Sequence, residues 1–207
     1  FNTSTASSTP FNSFFSPDSR IFYCCSNTNQ SRIYLFDMET LEEPTFIATP
    51  DPPHQIIPTK DFKKAYVYFN CKSGSYPLQH VDILDIDPDS PTYHQWIALN
   101  VFGDFGYSGT IPRAHFTMLP DGRRMFLCRN TPNTPDPFMH WGVADIDPLS
   151  STFHQFIYAK EIASLDDYTP PYQVTPNGKW LFGSPAGHLS CGSCAYFSRK
   201  LITEEDP

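Results

Sequence analysis

The sequence predicts an all-β chain built as an array of repeated four-stranded antiparallel sheets, three complete and one partial. Three observations predict it. VDILDIDPDSPTYHQWI, from Val81 to Ile97, returns as GVADIDPLSSTFHQFI, from Gly142 to Ile157, so that Asp85 and Asp145, Asp87 and Asp147, Pro88 and Pro148, and His94 and His154 each stand sixty residues apart. The same register reaches upstream, where Asp61 pairs with Asp121, Asn70 with Asn130 and His80 with His140. The composition, with 21 prolines, 10 glycines, 15% aromatic residues and few helix-favouring runs, suits strands joined by proline-rich loops. A repeat of this length made of strands means a radial or stacked array and not one ordinary core.

The elements follow in order. Residues 1–10, FNTSTASSTP, lack hydrophobic periodicity and read as an extended arm or a strand lent to a neighbour. A first unit spans 11–49: FFSPDSR ends one strand and turns at Pro17 and Asp18, IFYCCS and RIYLFD flank an Asn-rich turn at Asn27 to Gln30, and TFIA closes the unit. Asp37 stands fifty residues before Asp87, and Phe46 and Ile47 fifty before Trp96 and Ile97, which makes this unit a fainter copy.

The second unit, 54–100, uses HQIIPT, KAYVYFN, HVDILDID and HQWIALN as its strands, and the third, 113–160, uses HFTML, RMFLCRN, WGVADID and HQFIYAK. A fourth, 171–200, supplies YQVT, KWLFGS and CAYFS before the polar tail LITEEDP. Four short antiparallel strands, three of them nearly consecutive, make up a propeller blade.

The net charge of −8 and pI near 5.2 exclude a nucleic-acid or anionic-membrane partner from the expectations, because phosphate binding is driven by clustered Lys and Arg. No apolar run approaches the roughly 18 to 20 residues that cross a bilayer, and the first residues lack the basic-then-apolar form of a signal peptide. Phe1 in place of Met is the form of a processed chain or of part of a longer one. Six cysteines, Cys24, Cys25, Cys71, Cys128, Cys191 and Cys194, fit either an oxidising compartment or buried thiols. Asn2-Thr3-Ser4 and Asn29-Gln30-Ser31 satisfy the N-glycosylation pattern. With the Ser/Thr-rich start they point to an extracellular or cell-surface protein.

PHQIIPTKDFKKAYVY and LPDGRRMFLC resemble the strand-turn-strand phrase of the YVTN and lactonase-like β-propeller superfamily. DIDPDSPTYHQWI is locally similar to a segment of the selenium-binding protein and methanethiol oxidase family, itself a propeller. That family's His-His-Ser-Gly-Trp segment is absent, and the nearest counterpart of its CSSC phrase is Cys191-Gly192-Ser193-Cys194. These families close with more blades than this chain supplies. The expectation is therefore that it associates with copies of itself or other subunits, or is part of a longer propeller, since open blades leave unpaired edges.

In a propeller the first strand of each blade lines the central channel. Antiparallel alternation then places the loops 70–79 and 130–139 at the same end as the connections 101–113 and 161–171, and any ligand site is expected on that loop-bearing end. The candidate ligand-binding residues are His54, Asp104, Tyr107, His115 and Tyr172. Imidazole is a common metal ligand, but His94 and His154 begin outermost strands of neighbouring blades, too far apart to share an ion, and read as partners of the Asp-Pro turns. His80 and His140 also read as structural. Asp85, Asp87, Asp145 and Asp147 recur with Asp37 in every unit, so they build blades and do not serve as an acid-base pair. Cys191 and Cys194 are close enough for a local disulfide, and their place in a loop speaks against CxxC redox chemistry, which uses a helix N-terminus.

No Walker loop, GxSxG elbow, HExxH or dinucleotide fingerprint is present. The leading expectation is a non-catalytic extracellular or surface protein that acts in protein contacts or assembly. It has protein partners or self-association and no predicted cofactor. One rival is a lactonase-like or metal-dependent thiol-oxidase-like enzyme, with calcium or copper as its ion and His54, Asp104, His115 and Tyr172 near the channel mouth. Another is a carbohydrate-binding propeller that uses Tyr107 and Phe138.

Overall fold

The computed structural model describes residues 13–25, 31–70, 79–102, 115–130, 139–162, 168–175, 180–185 and 198–201. For His115, Cys128, His140 and Tyr172 the description extends to the backbone alone. Among the described residues the chain is all strand, with no helix, and all pairings are antiparallel. It divides into two compact units, Phe1–Tyr107 and Ser108–Pro207.

In the first unit β1 (Ser13–Phe15), β2 (Ile21–Cys25), β3 (Arg32–Asp37) and β4 (Thr45–Ala48) form one sheet in sequence order. β5 (Pro53–Pro58), β6 (Lys64–Asn70), β7 (Gln79–Asp85) and β8 (Trp96–Ala98) form the next in the same way. Successive side chains of a strand point to opposite faces. Tyr23 and Cys25 of β2, Ile33 and Leu35 of β3 and Ile47 of β4 thus share one face of the first sheet, and Ala65, Val67 and Phe69 share one face of β6. All of them meet in a single core cluster with Ile56, Leu84 and Ile86. The opposite face of β6 is covered too, since Tyr66 and Tyr68 are buried. β5 lies against β1 and β2, so the first strands of the two sheets are neighbours.

The same short turn joins the first two strands of the first two sheets. Ser16 Oγ donates to Asp18 Oδ1 at 2.6 Å, and Thr59 Oγ1 donates to Asp61 Oδ1 at 2.6 Å. That oxygen also accepts from the backbone two residues on, Arg20 N or Lys63 N, each at 3.1 Å. A short acceptor side chain that bonds its own backbone two residues on is the reason Asp serves at such corners.

In the second unit β9 (His115–Met118), β10 (Arg124–Asn130), β11 (Met139–Asp145) and β12 (Phe156–Ile162) form a third four-stranded sheet. β13 (Tyr168–Val174), β14 (Trp180–Pro185) and β15 (Ser198–Leu201) form a three-stranded sheet. β13 lies against β9. The corner before β10 repeats the earlier two, with Arg123 N donating to Asp121 Oδ1 at 2.9 Å. The sixty-residue register is exact in the ladders, since Lys64 lies opposite Asp85 and Arg124 opposite Asp145.

Three expectations about the strands need correction. The outer strands do not begin at His94 and His154: both residues stand in the preceding turn with φ of 63° and 61°, a left-handed geometry that a strand cannot contain. The third strands stop at Asp85 and Asp145, before the second aspartate of each pair. Asp37 aligns by register with Asp85 and not with Asp87, because it lies opposite Ile21 at the place where Asp85 lies opposite Lys64. Its side chain nevertheless does the work of Asp87. It accepts from Glu39 N and Thr40 N and pairs with Arg20 at 3.6 Å, as Asp87 accepts from Asp89 N and pairs with Lys63 at 3.1 Å.

Candidate functional site

The repeated acidic residues are framework. Asp85 accepts from Asp87 N through Oδ1 at 3.0 Å and from the hydroxyls of Ser90 and Thr92 through Oδ2. Asp145 repeats this, with Asp147 N at 2.9 Å and Thr152 Oγ1 at 2.6 Å. Both backbones close the corner alike: His94 N donates to Asp85 O at 2.9 Å and His154 N to Asp145 O at 2.8 Å. Burial pushes both carboxyls up, and the hydroxyl and amide donors outweigh it, so both rest below the usual carboxylate range. Both carboxylate oxygens are thus engaged in holding the corner.

His94 joins the two sheets of the first unit. Its Nε2 lies 2.9 Å from Tyr23 Oη, and its ring stacks on Tyr93 with centroids 3.7 Å apart. Burial pushes the imidazole below its ordinary value, and Asp85 opposes this more weakly. Phe153 and His154 stack in the same geometry, at 3.7 Å.

The loop-bearing end of the second sheet carries a cluster that the repeat does not copy. Asp82, 1% exposed, accepts from Asn100 N at 2.8 Å and stands 3.5 Å from His80 Nε2. His80, 5% exposed, stacks on Phe69 with centroids 4.7 Å apart. On the opposite face of the same sheet, Tyr66 stacks on Phe102 and the His54 ring stands edge-on to Tyr68 at 5.6 Å. Buried ionisable side chains of this sort appear only when paired. Sequence reasoning placed His80 among the structural residues and passed over Asp82. The signal was available, since sixty residues beyond Asp82 stands Gly142, so the acid belongs to one unit alone.

Of the other candidates, His54 lies in β5, half-buried. The His115 backbone opens β9 opposite Cys128, and that of Tyr172 pairs with Gly183 in β13. Asp104, Tyr107, Phe138, Cys191, Cys194, Asn2 and Asn29 lie outside the described residues. Cys24 and Cys25 are free thiols, and burial pushes both up. Among the described residues no group of His, Cys, Asp and Glu could hold a metal ion, and no helix is long and apolar enough to cross a membrane.

An open groove of about 640 Å³ runs between β4 and the segment that leads into β8, lined by Leu35, Phe46, Ile47, His94, Gln95 and Trp96 among others. Trp96 Nε1 crosses it to donate to Ala48 O at 3.3 Å.

No protein-family model matches the chain, and no curated protein matches it. Solved structures do. Hydrazine synthase of Kuenenia stuttgartiensis is similar with a TM-score of 0.59 at 19% identity, over 86% of this chain and 44% of that one. A putative 6-phosphogluconolactonase of Bacteroides uniformis is similar at 0.52 and 16%, over 84% of this chain and 46% of that one. The β-propeller domain of Cps50 (Swd1) of Myceliophteria thermophila is similar at 0.51 and 10%, over 93% and 57%. At these identities the likeness shows the fold alone: an all-β, propeller-like array of antiparallel sheets. The chain spans about half the length of the structures it matches.

Proposed function

We propose that the chain is an extracellular or cell-surface module of a β-propeller, related to the YVTN and lactonase-like superfamily, that works through protein contacts. Further sheets, on the rest of a longer chain or on partner chains, complete the array in this reading. The observation that carries it is the apolar exposure on or beside the outer strands: Phe46 is 52% exposed on β4, Leu99 68% just past β8 and Ile157 46% on β12. Large apolar side chains in water at the margin of a sheet favour a protein neighbour. Light scattering over a concentration series is expected to give masses above that of one chain, and Leu99→Asp with Ile157→Asp to restore the single-chain mass. A single-chain mass throughout, with stoichiometric calcium or copper that His115→Ala removes, overturns the reading.

The buried His80–Asp82 pair favours a second reading, a lactonase-like or thiol-oxidase-like enzyme with its site at the loop-bearing end. Turnover of a lactone or thiol substrate that Asp82→Asn abolishes in a folded chain would select it.

A further inference from the structure

We infer that the outer margin of β4 takes up an extended peptide segment as an added strand, and that the segment has an apolar centre flanked by Lys or Arg. The inference rests on the protein-contact reading above and names a partner class for one strand of it.

Backbone direction is the first support. Thr49 N donates to Ser31 O, and the ladder continues with Ile33 opposite Ile47 and Leu35 opposite Thr45. In an antiparallel ladder the bonded pairs alternate, so the N–H and C=O of Phe46 and of Ala48 face away from β3. Trp96 Nε1 takes the Ala48 carbonyl. Among the described residues nothing pairs with the Phe46 N–H, the Phe46 C=O or the Ala48 N–H. These three groups are a template for main-chain pairing.

Shape is the second support. The free groups open on the groove whose lining includes Leu35, Ile47 and Trp96. Alternate side chains of an added strand would enter it and cover apolar surface. The others would stand beside Phe46, whose ring carries the Arg32 guanidinium 4.4 Å above its centroid.

Charge selects the occupant. Glu42 and Glu43 precede β4, exposed, and Asp51 follows it. Both ends of the strand are therefore acidic, while Arg32 is held over the centre by Phe46 and Tyr34. A second copy pairing through its own β4 would bring acid against acid at both ends, and like charges across a ladder are destabilising. A segment with basic ends meets opposite charge at each.

The test is titration of a short capped peptide, valines flanked by lysines and labelled with a fluorophore, into the chain, read by anisotropy and by hydrogen-exchange protection of residues 45–48. The peptide is expected to bind and to protect those residues. Replacing the lysines by glutamates, or N-methylating the residues that face β4, is expected to weaken binding at least about tenfold, the equivalent of 1.4 kcal/mol. Glu42→Lys with Glu43→Lys, both on the surface, is expected to weaken the basic peptide and strengthen the acidic one. Phe46→Pro removes a donor that β3 does not use, so the fold tolerates it and binding is lost. Absence of binding to the folded chain, equal binding of the N-methylated peptide, or binding that leaves 45–48 unprotected overturns the inference. Self-association through Leu99 and Ile157 is read separately, so failure here leaves the contact reading standing.

Discussion

Tyr23 Oη and His94 Nε2 meet at 2.9 Å across 71 residues of chain and from two different sheets. Burial drives the tyrosine hydroxyl well above its ordinary range, and Tyr93 adds to this. The tyrosine stays neutral at any working pH. The bond therefore depends on the imidazole, which burial holds in its neutral form.

His94→Asn keeps a side chain that tolerates the left-handed turn and loses the bond. It is expected to cost about 1–2 kcal/mol, as is Tyr23→Phe, with the double variant costing less than the sum. Urea unfolding of the three variants checks this.

The same histidine gives a pH dependence. Its folded value lies below the ordinary 6.5 of a free imidazole, so near that pH the unfolded chain binds more protons and stability rises with pH. The contribution is complete above 6.5 and is lost as pH falls through the lower folded value. Urea midpoints of the parent are expected to drop over this window, and those of His94→Asn to drop less.

Asp145→Ala strands Thr152 Oγ1 and the Asp147 amide, and is expected to cost about 1–3 kcal/mol. Because the Asp145 carboxyl rests below the ordinary aspartate value of 3.8, its contribution is present above that pH and lost as pH falls further. Arg123→Ala, which breaks a pair at 3.5 Å on an exposed side chain, is expected to move the midpoint far less, since water screens such pairs. Thermal melts of both variants decide.

His80→Leu removes the imidazole beside the buried Asp82 carboxyl, a change expected to cost about 1–3 kcal/mol. Adding Asp82→Val is expected to recover part of the loss, a result that separates a pair held for its charge from a residue held for its volume. Denaturation of the single and double variants measures the coupling.

Cys25, fully buried, and Cys24, half-buried, are expected to react with a thiol reagent only slowly in the folded chain and at once in urea, Cys25 the slower. Peptide mapping by mass reads each site.

The copied stretch showed the architecture in advance because a corner needs one chemistry wherever it occurs: Asp18, Asp61 and Asp121 all cap the turn into a second strand. What stayed hidden has equally local causes. A left-handed φ at His94 delays the strand, and a histidine by itself does not announce that, because positive φ is uncommon even for the residue types enriched there. Asp82 looked like one more alternating residue of a strand. Only its missing counterpart at Gly142 marked it, and only the neighbouring Asn100 and His80 explained how it is held.

Asp37 makes the ion pair of Asp87 from the ladder position of Asp85. The segment between the third strand and the fourth can therefore be shortened while both neighbours keep their alignment. A chimera engineer would splice there, trading one module's outer hairpin for another's without disturbing the apolar interior.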